Sequence, residues 1–161
     1  MTKNLVPGLL SAVMLTGLLC GPAHAAGFGN FGGVSGFFSS VLGQPGGGNM
    51  NIDETLLRIS EKMNRKMPQA VDADTRLDKV SAEPGQQLAY HFTMLNVRSK
   101  DISTASFYKT FRPTLQKRVC ASEDLKMFFR NRITVAYAYQ GNDGEDIGKL
   151  AFTPKDCGYS S

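Results

Sequence analysis

The sequence predicts an α+β domain: a two-layer sandwich of about four antiparallel strands, with helices on one face and one disulfide. Three observations predict it. Apolar residues recur at steps of three and four in some stretches, they alternate with small or polar residues in others, and two cysteines remain beyond residue 25.

In chain order, Lys3 is followed by an apolar run from Leu5 to Cys20 and then by Gly21, Pro22, Ala23, His24 and Ala25. That is the order of a secretory signal peptide, with Ala23 and Ala25 as the small residues before the cut, so residues 1–25 are expected to leave by cleavage after Ala25. A retained anchor would need about 20 apolar residues, and this run is shorter and broken by Pro7, Gly8 and Gly17. Lipidation at Cys20, which Gly21 follows, is a further alternative, although Leu19 stands where a small residue is expected. The expected address is the periplasm or the secreted space, with no stable membrane span.

Residues 26–50 are dominated by glycine, with Phe28, Phe31, Phe37, Phe38, Val41 and Leu42 scattered among them. Glycine at this density loses too much freedom on ordering to fold alone, so a flexible leader is expected. The remainder, 51–161, reads as a single domain.

That domain opens on Ile52, Leu56, Ile59, Met63 and Met67, the stripe of an amphipathic helix capped by Asn51 or Asp53 and stopped by Pro68. A polar segment then enters a strand around Arg76 to Ala82. A turn at Pro84 and Gly85 leads to Leu88, Tyr90, Phe92 and Met94, which alternate with Ala89, His91 and Thr93 as in a half-buried strand. The two strands are expected to pair as a hairpin.

Ser103 is placed to cap a second helix carrying Phe107, Phe111, Leu115 and Val119, which Pro113 is expected to kink or divide. A short helix follows Ser122. Ile133, Val135, Tyr137 and Tyr139 then alternate with Thr134, Ala136 and Ala138, and the turn Gly141-Asn142-Asp143-Gly144 returns the chain along Ile147 to Thr153 as a second hairpin.

Export leaves Cys120 and Cys157 as the thiols and His91 as the imidazole of the expected mature chain. In an oxidising compartment the cysteines read as a disulfide, the alternative being two free buried thiols. A Ser-His-acid site needs a positioned imidazole, and His91 sits mid-strand; a cysteine nucleophile is consumed by the bridge. No catalytic residue, metal site or cofactor is assigned. Calcium at Asp72, Asp74 and Asp78, or at Asn142, Asp143, Glu145 and Asp146, would use suitable oxygen ligands, but neither segment has the EF-hand spacing, and turn capping explains both. The net charge of +4 is mild and interspersed, which argues against nucleic acid. Lys109, Arg112, Lys117, Arg118, Lys126, Arg130 and Arg132 gather in the helical part, as a solvated face or a docking site for an acidic partner.

The run Val71-Asp72-Ala73-Asp74-Thr75-Arg76-Leu77-Asp78, then Pro84-Gly85, Leu88 and Tyr90, Cys120, Tyr137-Ala138-Tyr139, Gly144 and Cys157, resembles a family of small uncharacterised periplasmic proteins of proteobacteria. The resemblance covers roughly residues 68 to 158 and implies a periplasmic, disulfide-bonded α+β domain. In architecture alone the predicted domain is also similar to the small pilotin-type accessory proteins of bacterial secretion systems. The function expected from all this is a non-enzymatic binding or accessory module recognising another envelope protein. Asp72, Asp74, Arg76, Asp78, Tyr90 and His91 are its candidate interaction residues. The alternatives are an inhibitor or immunity protein against an exported enzyme, a small-ligand carrier, or an enzyme using Asp72, Asp74, Asp78 and His91.

Overall fold

Asn51 opens the first helix, α1 (Ile52–Asn64), because its side-chain oxygen accepts the N–H of Asp53 at 3.1 Å. The computed structural model describes residues 51–160, so the expected signal peptide and glycine-rich leader lie outside the described residues. α1 buries Leu56, Ile59 and Met63 and leaves Glu54, Arg58 and Glu61 in solvent, as the three-four spacing requires.

Beyond α1 come a two-residue strand β1 (Gln69–Ala70), then β2 (Thr75–Glu83) and β3 (Gln87–Met94). β2 and β3 pair antiparallel across a tight turn in which Gly85 has φ +84° and Gln86 has φ +58°. Gln86 ties three elements together there: its N–H donates to Asp53 Oδ1 at 3.2 Å and its carbonyl accepts the N–H of Thr134 at 3.0 Å.

A 3-10 turn (Ser99–Asp101) leads to α2 (Thr104–Ala121), capped by Ser103, whose Oγ accepts the N–H of Ser106 at 3.2 Å. Pro113 does not divide this helix. It removes one backbone donor, but burial of Phe107, Leu115 and Val119 on either side outweighs that loss. α3 (Glu123–Arg130) follows, then β4 (Thr134–Gln140) and β5 (Asp146–Phe152).

The architecture is α+β with helices on one face of a sheet and one disulfide. The sheet differs from expectation in two details. It has five strands in the order β1-β2-β3-β4-β5, and β3 and β4 run parallel while every other pair is antiparallel. The reason is the connection: residues 95–133 fold into α2 and α3 and return the chain to the starting end of β3, so β4 must run in the same direction.

Alternation decides which side meets the helices. Leu88, Tyr90 and Phe92 of β3, Val135, Tyr137 and Tyr139 of β4, and Leu150 and Phe152 of β5 are buried with Leu77 and Val80 of β2 in one core. Tyr90 stacks on Tyr137 at 5.5 Å and Phe92 on Tyr139 at 5.1 Å between ring centres. The other face of the sheet carries Lys79, Ser81, His91, Thr93, Gln140 and Lys149. The Cys120–Cys157 disulfide, Cα atoms 5.1 Å apart, fastens the last turn of α2 to the 3-10 turn (Lys155–Cys157) after β5.

Candidate functional site

The residues singled out in the sequence fall in three places. Tyr90 is 3% exposed and lies in the core, stacked on Tyr137, so it is corrected from an interaction residue to a packing residue. It shares the apolar phase of Leu88 and Phe92, and that phase was the signal that it points inward. Asp72 and Asp74 lie in the loop before β2. The Asp72 carboxylate accepts the N–H of Asp74 at 2.9 Å, and the Asp74 carboxylate accepts from the Asn96 amide while its carbonyl takes the N–H of Leu95.

Arg76, Asp78 and His91 lie on the outer face of the sheet, in two networks. In the first, Arg76 Nε donates to one oxygen of Asp78, Thr93 donates to the other, and Gln140 Nε2 donates to Thr93 Oγ1 at 2.8 Å, linking β2, β3 and β4. Asp78 reaches this face because a bulge in β2 between Leu77 and Lys79 shifts the register. In the second, Ser81 Oγ and His91 Nε2 are 2.7 Å apart, and Lys149 Nζ reaches Glu83 Oε2 at 2.6 Å, where Gln87 also donates.

The Glu83–Lys149 bridge runs from β2 to β5 across two intervening strands. By register it passes above Ala89 and Ala136, which have no exposed surface although they face away from the helices. Methyl side chains at those two positions leave room for the long side chains to lie flat. Burial alone would lift the Glu83 carboxyl, but the Lys149 ammonium and the Gln87 amide together hold it below the usual carboxylate value.

Partial burial pushes the His91 imidazole below its ordinary value of 6.5, with Lys79 and Lys149 acting the same way against Glu83 and Asp146. A histidine that binds its proton less readily folded than unfolded contributes stability above about pH 6.5, which is lost as pH falls from there through the lowered folded-state value. The melting temperature is therefore expected to drop as the pH is taken below about 6.5, and His91→Gln should flatten that drop. An equal slope in both proteins in thermal melts would contradict this.

An exposed sheet edge can accept a partner strand, but side chains occupy much of both edges here. On β2, Asn64 Nδ2 donates to the Val80 carbonyl at 2.8 Å and Asn64 Oδ1 accepts the Val80 N–H at 2.7 Å, beside the short β1. On β5, the Tyr108 hydroxyl donates to the Lys149 carbonyl at 3.0 Å and accepts its N–H at 3.2 Å, and Arg112 donates to the Ala151 carbonyl at 3.3 Å. Tyr108→Phe strips both groups of Lys149, and is expected to cost about 1 kcal/mol and to promote concentration-dependent association. Urea melts with sedimentation velocity check it; an unchanged midpoint and a monomer at every concentration would count against the plug.

A third surface is the solvent side of α2. Lys109, Thr110, Pro113, Thr114, Lys117, Arg118 and Ala121 are exposed there. Arg112 is turned inward instead: it reaches Asp156 Oδ1 at 3.4 Å and lies 5.3 Å from the centre of the Phe152 ring. Among the described residues no cluster of three His, Cys, Asp or Glu side chains is arranged to hold a metal ion, and no helix is long and apolar enough to cross a membrane.

No family model and no curated protein matches the sequence. Its fold is similar to those of solved structures, among them the following two. A presumed secreted protein of Pseudomonas aeruginosa superposes with a TM-score of 0.54 at 18% identity, covering 68% of this chain and 99% of that one. The pilotin EpsS from the type 2 secretion system of Vibrio vulnificus superposes with a TM-score of 0.53 at 8% identity, covering 68% of this chain and 94% of the pilotin.

Proposed function

We propose that this protein is a non-enzymatic accessory module of the bacterial cell envelope, exported to the periplasm, which acts by binding another envelope protein. The observation that carries the reading is the extent of the fold likeness. The pilotin EpsS is matched over 94% of its length, so what is shared is nearly the whole of a domain that serves a secretion system. Fold likeness alone does not transfer a function, and the polar chemistry of this chain supports the reading separately.

The carboxylates and imidazole that an enzyme would converge on a substrate are dispersed and already engaged. Asp72 and Asp74 brace a loop, Asp78 holds Arg76 and Thr93, and His91 meets Ser81 on an open strand surface. The backbone around Ser81 and His91 is committed to the ladder between β2 and β3, so it does not supply N–H groups aimed at a developing oxyanion above that face. The space between sheet and helices, where a carrier would hold its ligand, is filled by Phe92, Phe107, Phe128, Tyr137 and Phe152.

The test is capture of the tagged, natively exported protein from its own periplasm, with intact mass recorded on the same sample. A stoichiometric envelope protein, bound to a chain that begins at Ala26 and is lighter by the hydrogens of its two thiols, is the expected result. A partner-free protein that turns over a substrate, with activity abolished by His91→Ala, would overturn the reading.

A further inference from the structure

We infer that the solvent face of α2 is the docking surface for an acidic segment of the partner protein. This rests on the binding role proposed above and adds to it a place and a chemistry. α2 carries Lys109, Arg112, Lys117 and Arg118 and not one Asp or Glu in its eighteen residues. The other two helices mix their signs: α1 has Asp53, Glu54 and Glu61 with Arg58 and Lys62, and α3 has Glu123 and Asp124 with Lys126 and Arg130. Both make ion pairs within themselves, Arg58 with Glu54 and Lys126 with Glu123.

Arg112 is the one cation of α2 with internal work, on Asp156, Ala151 and Phe152. Lys109, Lys117 and Arg118 are exposed and make no ion pair among the described residues. Cations on one helix without counter-charge give that surface a positive potential, and a partner bearing carboxylates gains attraction from it. The sheet face offers a smaller surplus, Lys79, because Arg76 and Lys149 already hold Asp78 and Glu83.

Shape agrees with charge. Thr110, Pro113 and Thr114 lie between the cations and Ala121 just beyond them, all exposed and none long, so a partner chain can approach the helix closely. Lys109 and Lys117 are eight residues apart, about 12 Å along the axis and about 80° around it, and Arg118 stands about 100° further round, at the flank of the solvent side. The matching ligand is a segment whose carboxylates form two groups about 12 Å apart, which in a helix means acidic residues separated by about two turns. An anionic bilayer fits this face less well, because surface-binding helices set large apolar groups against their cations. The exposed large hydrophobics among the described residues are Leu57, on α1, and Tyr108, whose hydroxyl is held by Lys149. The platform is also rigid, pinned by the Ser103 cap at one end and by Cys120 at the other.

The experiment uses the natively exported protein, its K109E/K117E/R118E variant and the milder K109Q/K117Q/R118Q variant, each shown by thermal melting to be folded. The probe is a labelled Ala/Gln-rich helical peptide with pairs of glutamates eight residues apart, alongside the same peptide with lysines in their place. Charge reversal is expected to weaken the glutamate peptide by about tenfold or more, the glutamine variant less, and rising salt should weaken the wild-type complex. The lysine peptide should bind the reversed protein, a rescue that a merely structural role for these residues would not give. Equal binding by wild type and both variants, or binding of phosphatidylglycerol vesicles with indifference to the peptide, would overturn the inference. Periplasmic capture with the same proteins separates the two claims. A partner kept by wild type and lost on reversal supports the inference, and one kept by the reversed protein sinks it while leaving the binding role standing. Absence of a partner from every sample, wild type included, counts against the binding role itself, and the peptide data then judge α2 alone.

Discussion

Replacing Cys120 and Cys157 together by alanine is expected to cost about 4 kcal/mol of stability and on the order of 15 °C in melting temperature. The bridge closes a loop with a sequence separation of 37, and the loss of freedom it imposes on the unfolded chain gives most of that figure. The folded state adds to it. Gln116 Nε2 donates to the Asp156 carbonyl at 2.8 Å, and the Asp156 carboxylate accepts from the Thr153 N–H at 2.8 Å and from its hydroxyl at 2.7 Å, so the whole segment after β5 is organised around the point that the disulfide fixes. Urea denaturation of the double variant beside the oxidised protein measures the effect. A loss under about 1 kcal/mol would mean that these hydrogen bonds hold the C-terminal segment without the bridge.

The second large effect is expected at the contact between α2 and β5. Phe107 is 1% exposed, stacks on Phe111 at 4.9 Å and meets the ring of Tyr139 edge-on at 5.5 Å. Its ring fits because position 148 has no side chain: a methyl there would stand 2.9 Å from two ring atoms. Phe107→Ala should cost about 3–5 kcal/mol through lost burial and the cavity left behind. Gly148→Ala should cost about 1–3 kcal/mol by overpacking. The pair is not additive. With the ring gone, the new methyl enters vacated space, so Gly148→Ala in the Phe107→Ala background should be close to neutral, a coupling of about 1–3 kcal/mol. Additive losses in a double-mutant cycle would show that the backbone shifts to absorb the methyl and that the two residues do not define the contact.

Much of the fold was legible because its signals are local. Asn51 as cap, the spacing of Leu56, Ile59 and Met63, the alternation of β3 and the Pro-Gly turn are each decided within a few residues. The disulfide followed from counting the thiols of the expected mature chain. The direction of β4 was not legible, because turn chemistry reports how adjacent strands join and says nothing about a strand reached through two helices. β1 is too short to carry a pattern, and Pro113 broke a local rule that burial along the rest of α2 overrode. The surface chemistry was legible in part. Alternation placed His91 on the outer face, but that Arg76 would pair with Asp78 depended on a bulge without a sequence marker, and the engagement of Tyr108 and Arg112 with the β5 edge joins residues about forty apart. The basic character of α2 could be read from the sequence, whereas the internal commitment of Arg112 could not.

The parallel pairing of β3 and β4 has a kinetic consequence. The hairpin of β2 and β3 closes over a few residues and can form as soon as both strands are free to pair, whereas β3 meets β4 only after residues 95–133 have condensed into helices. The N-terminal half of the sheet therefore waits, with its aromatic face uncovered on one side, for the C-terminal half to arrive, and the Cys120–Cys157 disulfide, whose two thiols give up two protons and two electrons to an external oxidant, closes only in the last stage of that wait. The vulnerable species in the life of this protein is thus a half-built sheet, and chaperones and proteases would meet it at that stage.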